Sequence, residues 1–288
     1  MLDLKLNSTD DLKKEGKSFY WASFFLPYSS KINAGTLYSI CRYFDNIADK
    51  DTIDKSLFFQ ESINEIKYNK DNIVNIFLKK NNINIFIFID LIHGFIIDQN
   101  HVFIKTKSEL IKYSYHVAGT VGLMMSNLIG VKNKKALPCA VDLGIAMQLT
   151  NIARDIHEDA KMKRIYIPID WIPNLNLSVL SGKIEINAEQ EKQFVNAVNR
   201  LIDLSECFYN NGFSGLKYIP LRSRIAIFVA ANIYRGIGIK IKKDVKKYFR
   251  KRAYLNLFEK TLITFHSLTK FFLIRFINYK YLKVRESM

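Results

Sequence analysis

Apolar residues recur three and four apart along almost the whole chain, while the residues that punctuate a β fold are scarce, only 5 prolines and 12 glycines in 288 residues. That spacing marks amphipathic helices, each burying one face. The clearest cases are 136–159, opened by Pro138 near its first turn, 186–212 and 220–243. Helices are also expected at 32–49, after a break at Pro27, and at 57–79, 108–129 and 253–283. The run "INIFIFIDLIHGFIID" (83–98) begins with a strand-like alternation. Asp90, His93 and Asp98 recur at helical spacing, however, and no partner strand is in view, so it too is read as helix. "YSYHVAGTVGLMM" carries small residues that would let a neighbouring helix approach closely, and "IYIPIDWIPNLNL", broken by Pro168 and Pro173, is expected to be a loop. Neither a repeat nor a low-complexity linker divides the chain. The expectation is one all-α domain over residues 1–288, with a basic C-terminal segment at 235–288.

Charge is unevenly distributed. Residues 235–288 hold fifteen Lys and Arg against three acids, a net +12 of the total +16. Such a block implies an anionic partner or a solvated tail. "FHSLTKFFLIRFINYKYLKVR" mixes aromatic and basic residues in a way that suits an interfacial helix. A packed, solvated terminal helix explains it equally well, and both readings stay open. No window is expected to reach the roughly 18 apolar residues of a membrane span, since Lys270 and Arg275 interrupt the best candidate. Acids in "MLDLKLNSTDDLKKEG" argue against a signal peptide, and three scattered cysteines (Cys41, Cys139, Cys207) fit a reducing cytoplasm.

Two short acidic patterns carry the chemistry. In "YSICRYFDNIAD", Tyr38, Arg42, Asp45 and Asp49 are spaced to form one helical stripe. One such stripe alone reads most simply as a solvated face whose Arg–Asp pair contributes under about 1 kcal/mol. "QLTNIARDIHED" repeats the spacing: Gln148, Asn151, Asp155 and Asp159 share a stripe, with Arg154 and His157 beside it. Two acidic faces in one helical chain suggest opposite walls of a single site. Buried carboxylates left to repel each other are costly, so a hard divalent cation is the sensible occupant. Magnesium takes oxygen ligands and commonly bridges carboxylates to substrate phosphate. Arg42 and Arg154, beside the acids, suit phosphate oxygens. Neither a GxxxxGK[ST] loop nor a GxGxxG after a strand is present, so the diphosphate is not expected to belong to a nucleotide.

Five ordered blocks, "KSFYWASFFLP", "YSICRYFDNIAD", "YSYHVAGTVGLMM", "QLTNIARDIHEDAKMKRIYIP" and "YIPLRSRIAIFVAANIY", resemble the squalene/phytoene synthase family, bacterial phytoene synthases most of all. The resemblance implies the all-α isoprenoid synthase fold, with both aspartate pairs facing a central apolar cavity. It implies Mg²⁺, with Mn²⁺ as an alternative ion, held by Asp45, Asp49, Asn151, Asp155 and Asp159. Diphosphate contacts are implied at Ser18, Tyr38, Arg42, Gln148, Asn151, Arg154, Arg164, Tyr166 and Tyr234, and at Arg252 in the weakly matching tail. The family's GRxYLP block has Lys163 for Gly and Ile167 for Leu here. Two geranylgeranyl diphosphates would be the substrates, with phytoene as product and no NADPH required. A product of that kind is a long hydrocarbon, which suits a cytoplasmic protein touching the inner face of an anionic membrane. Oligomeric state stays open.

A carbocation needs a dry chamber, and Phe19, Tyr20, Phe24, Phe44, Met124 and Met125 are candidates for its lining, although helical spacing makes ordinary packing the simpler account of each. His116 and His157 read as structural, Asp98 as a cap or structural pair, and Tyr113 as an even choice. Rival readings are squalene, dehydrosqualene or hydroxysqualene formation from farnesyl diphosphate, and a class I terpene cyclase, whose DDxxD is missing. A catalytically dead family member ranks low, since all four Asp are present. A nucleic-acid-binding module is not expected, because four aligned aspartates would repel phosphate.

Overall fold

The computed structural model describes residues 10–49, 55–98 and 102–273. The N-terminal part comprises α1 (Asp10–Lys14), α2 (Lys17–Ser23) and α3 (Tyr28–Ala48), the last starting at Pro27, whose fixed φ suits a helix entry. The expected 57–79 helix is two helices, α4 (Lys55–Tyr68) and α5 (Ile73–Lys80). Asn72 divides them, its side chain accepting from the Val74 and Asn75 amides at 2.9 and 3.3 Å. The ambiguous apolar run is α6 (Ile85–Ile97): Asn84 caps its start, accepting from the Phe86 amide at 3.0 Å, and Asp98 ends it. An asparagine that satisfies the first free amide decides helix over strand there.

After β1 (Val102–Phe103), the expected 108–129 helix is α7 (Lys107–Ser114) and α8 (Thr120–Leu128), joined by a π-helical turn over Tyr115–Gly119. The long α9 (Ala136–Lys161) follows, then β2 (Arg164–Ile165) and the one-turn α10 (Leu177–Leu180). Two further long helices, α11 (Ala188–Ser214), opened by an Asn187/Gln190 capping box, and α12 (Leu221–Lys243), match their expected spans closely. The expected 253–283 helix is α13 (Leu257–Leu273), and its remainder lies outside the described residues.

Helix α9 is the axis of the main core, with α8, α11 and α12 packed along it. It is also, contrary to expectation, a helix long and apolar enough to cross a membrane, though most of that stretch is buried within the bundle. A second core joins α3, α4, α5, α6 and α8 around Phe44, Phe59 and Phe88. The small residues of "YSYHVAGTVGLMM" do what their size suggests. A Cβ on Gly122 would lie 2.1 Å from the Ala140 carbonyl oxygen, and one on Gly144 2.2 Å from that of Ala118. Two backbones therefore touch in both directions. Gly144→Ala is expected to destabilise the protein by about 3 kcal/mol, because backbone atoms cannot rotate away as side chains can. Thermal unfolding checks this; an unchanged midpoint would mean that the two helices slide apart freely.

The expected loop at 165–177 starts with a strand. β1 and β2 pair in parallel, Val102 opposite Arg164 and Phe103 opposite Ile165. The pairing extends through the Ile169 amide to the Ile104 carbonyl at 2.9 Å. It ties the chain leaving α9 to the chain leaving α6, which brings Arg164 and Tyr166 over Asp98. Lys163 makes the turn into β2 with φ of 61°. That left-handed conformation explains a glycine at this position in the family block and costs a lysine about 1 kcal/mol.

Candidate active site

Both acidic stripes lie in the last turns of their helices, and the two ends meet. On α3, Arg42 pairs through Nε with Glu15 and through Nη1 with Asp45. Glu15 carried no signal in the sequence; it arrives because Gly16 packs against the Tyr38 ring, where a Cβ would sit 3.0 Å from Cζ. The Tyr38 phenol is pushed above its ordinary pKa chiefly by burial, with Arg42 opposing. On α9, Arg154 grips Asp155 by two hydrogen bonds of 2.8 and 2.5 Å. Arg252, distant in sequence, donates to the same carboxylate at 2.7 and 3.2 Å. The Asp155 side chain is 18% exposed, so two guanidiniums hold one carboxylate at the edge of solvent. Tyr234 of α12 is buried with its ring tilted against that of Phe19 of α2 at 4.8 Å, and the Arg154 charge acts on its phenol.

Arg164 joins the two walls. Its Nη1 donates to Asp49 Oδ1 at 2.8 Å, and its Nη2 to the carbonyls of Asp98 at 2.8 Å and Ala48 at 3.4 Å. Its charge also acts on Asp45 and Asp159, one from each pair. Beneath it, Asp98 accepts from Tyr166 at 2.5 Å and from Tyr113 at 2.9 Å, and the two phenol rings stack at 4.7 Å. Burial pushes the Asp98 carboxyl up to about 6, against the pull of Tyr166 and Arg164. Asp98 therefore both ends α6 and anchors two tyrosines.

Like charges leave their mark. Asp159 is held well above the usual carboxylate range, first by burial and then by Asp155 and Asp98. Asp45 is raised too, by the protein crowded around it and by Asp49, with Arg42 opposing. Among the described residues no three His, Cys, Asp or Glu side chains converge as a ready metal cage. Arginines instead neutralise Asp45, Asp49 and Asp155 one by one. Asn151, one turn before Asp155, donates to Gln148 Oε1 at 3.3 Å and leaves its own buried Oδ1 without a partner. Carboxylates held above their ordinary pKa and an unpartnered amide oxygen on the same stripe are donors of the kind magnesium or manganese takes.

Eleven of the fourteen residues singled out from sequence are thus linked by hydrogen bonds, ion pairs or close electrostatic interaction, and Gln148 and Asn151 bond each other on the same stripe. Ser18, half-buried in the first turn of α2, makes no side-chain hydrogen bond among the described residues, though the ring of its neighbour Phe19 packs at a tilt against Tyr234. Of the apolar candidates, Phe44 and Met124 are fully buried core, and Phe24 is an exposed ring under Lys31 at 4.3 Å. His157 bonds the Leu180 carbonyl at 3.0 Å and His116 that of Asp90 at 3.1 Å, both structural. Below Asp159, Arg164 and Tyr166 lies a void of about 10 Å³ walled by Ile152, Ile156 and Leu180. A much larger hollow, about 680 Å³, lies elsewhere, between α12 and α13.

Comparison with known proteins agrees with this architecture. The squalene/phytoene synthase family model matches residues 12–259. A 15-cis-phytoene synthase of Paracoccus sp. is 30% identical over 272 residues, 88% of this chain and 86% of the relative. That of Enterobacter agglomerans is 40% identical over a shorter stretch, 53% of this chain and 50% of the relative. Among solved structures, a dehydrosqualene synthase in complex with ligand superposes with a TM-score of 0.78 at 25% identity, covering 91% of this chain and 94% of its own. The helical bundle is the isoprenoid synthase fold, as its superposition on the dehydrosqualene synthase shows. The chain belongs to the squalene/phytoene synthase family.

Proposed function

We propose that the protein joins two molecules of geranylgeranyl diphosphate head to head and releases 15-cis-phytoene, the first C40 hydrocarbon of a carotenoid pathway. The observation that carries this reading is the meeting of two aspartate pairs under a shared set of arginines, in a chain whose relatives are phytoene synthases. Asp45, Asp49, Asn151, Asp155 and Asp159 would hold Mg²⁺ or Mn²⁺, which supplies Lewis-acid neutralisation of the departing diphosphate oxygens.

The protein's own groups do the rest. Arg42, Arg154, Arg164 and Arg252 carry positive charge on the acids and can offer the same donors to diphosphate oxygens, bidentate where a fork fits. Tyr38 and Tyr234 keep their protons, being buried phenols raised above their ordinary range, and so act as neutral donors beside the charge. Ser18, Gln148 and Tyr166 complete the polar wall. In the first step the C–O bond of one substrate breaks and its electron pair leaves on diphosphate. The allylic cation is attacked by the double bond of the second substrate, and loss of a proton from the adduct closes the ring of the cyclopropyl intermediate, prephytoene diphosphate. Loss of the second diphosphate, rearrangement and loss of a proton complete phytoene. No electrons are gained overall, so no NADPH enters.

Purified protein incubated with geranylgeranyl or farnesyl diphosphate and Mg²⁺, with and without NADPH, followed by mass identification of the hydrocarbon, tests the reading. A C40 conjugated triene formed without reductant is expected. A C30 product would move the assignment to squalene, dehydrosqualene or hydroxysqualene formation, a reading that the superposed dehydrosqualene synthase favours.

A further inference from the structure

Helix α13 has two apolar faces, and among the described residues only one of them is packed. Its inner face packs on the bundle: Thr264 accepts from Trp21 Nε1 at 3.0 Å, and Ile263 seats on Gly236, where a Cβ would lie 2.6 Å from Cδ1. Its outer face exposes Phe258, Leu262 and Phe265, spaced i, i+4 and i+7 on one stripe and 70%, 52% and 68% accessible. Leu257 and Tyr254 extend that stripe toward the preceding loop. A contiguous exposed apolar stripe on a surface helix marks an interaction site.

The charge beside it is predominantly positive. The hollow of about 680 Å³ between α12 and α13 has Leu255 and Ile263 in its floor and Lys243, Lys247 and Lys270 among its lining residues. Among the described residues those three lysines have no carboxylate partner. Glu259 is taken by Lys240 at 2.6 Å, and Asp244 accepts from the Lys247 backbone amide at 3.1 Å. A second copy of this face would meet its own positive field. A nucleic acid would leave the phenylalanines in water. A bilayer carrying anionic headgroups satisfies both features together.

We propose that this face docks on an anionic lipid bilayer, with Phe258, Leu262 and Phe265 entering the boundary between headgroups and acyl chains and Lys243, Lys247 and Lys270 meeting the headgroup phosphates. Trp21, which bonds α13, lies two residues from Phe19, whose ring packs against Tyr234, so the docked helix is a close neighbour of the proposed catalytic wall.

Co-sedimentation of the full chain with phosphatidylcholine vesicles, with and without phosphatidylglycerol, tests this in the absence of substrate, so the result does not depend on which product the enzyme makes. Binding is expected only with phosphatidylglycerol and is expected to weaken at high salt. The triple variant Phe258→Ser, Leu262→Ser, Phe265→Ser and the triple variant Lys243→Gln, Lys247→Gln, Lys270→Gln are each expected to bind roughly 100-fold more weakly. Both should keep the wild-type circular dichroism and, on detergent-dispersed substrate, the wild-type rate. Equal binding by wild type and variants would assign the attraction to other basic residues and overturn the proposal. So would binding to phosphatidylcholine alone, displacement by inorganic phosphate, or a wild-type dimer abolished by the apolar variant.

Discussion

Asp155→Asn is expected to lower turnover by roughly a thousand-fold, the scale on which removing one preorganised electrostatic group acts on a developing charge. The carboxylate is the point where Arg154, Arg252 and the second acidic stripe meet. Removing its charge would take an oxygen donor from the proposed metal set and release two guanidiniums proposed to bind diphosphate. The effect on stability should be far smaller, because two terms oppose each other. Arg154, 16% exposed, loses its counter-charge, while Asp159 is relieved of the neighbour that holds its carboxyl high. Circular dichroism should therefore match wild type. Thermal melts add a readout independent of catalysis: Mg²⁺ should raise the midpoint of the wild type and leave that of the variant nearly unmoved. Asp45→Asn is expected to behave alike, with Arg42 left to Glu15. Near-normal rates in both variants would end the metal assignment.

How much of this site could be read beforehand follows from distance along the chain. A helix converts spacing into a face, so each stripe was legible wherever three- and four-residue steps sufficed: Tyr38 to Asp49, and Gln148 to Asp159. The contacts that turn two stripes into one site are of another kind. Arg164 reaches Asp49 across 115 residues and Arg252 reaches Asp155 across 97. No periodicity specifies those meetings. The first depends on the β1/β2 pairing, four backbone positions too short to leave an alternating pattern. Glu15 was missed for the same reason, since what delivers it to Arg42 is the fit of Gly16 against Tyr38. The π turn at Tyr115–Gly119 also stayed hidden, because one extra residue per turn barely disturbs apolar spacing. Family likeness supplied Arg164, Tyr166, Tyr234 and Arg252, which single-chain reasoning had no means to find. The outer stripe of α13 looked like either packing or an interface until its exposure was known.

Arg164→Ala is expected to lower both activity and stability, the latter by about 3 kcal/mol, because it removes a cation from among buried acids and leaves them uncompensated. Its side chain is 11% exposed and closes the gap between α3 and the chain leaving α6. The signature should depend on pH. Asp98 already has its folded pKa raised to about 6 with Arg164 in place. An acid raised in this way binds a proton in the folded state that the unfolded chain has released. Its contribution to stability is therefore greatest below the ordinary aspartate pKa and is lost as pH rises through the folded value. Without Arg164 the folded pKa moves higher, so the loss continues toward neutrality where the wild-type contribution is already flat. The gap in melting temperature between wild type and variant should then widen from about pH 5 to about pH 8. Arg164→Lys, which keeps charge but cannot reach Asp49 and two carbonyls with one fork, should recover most of the stability and little of the turnover. A gap that stays constant with pH would show that Arg164 acts through packing alone.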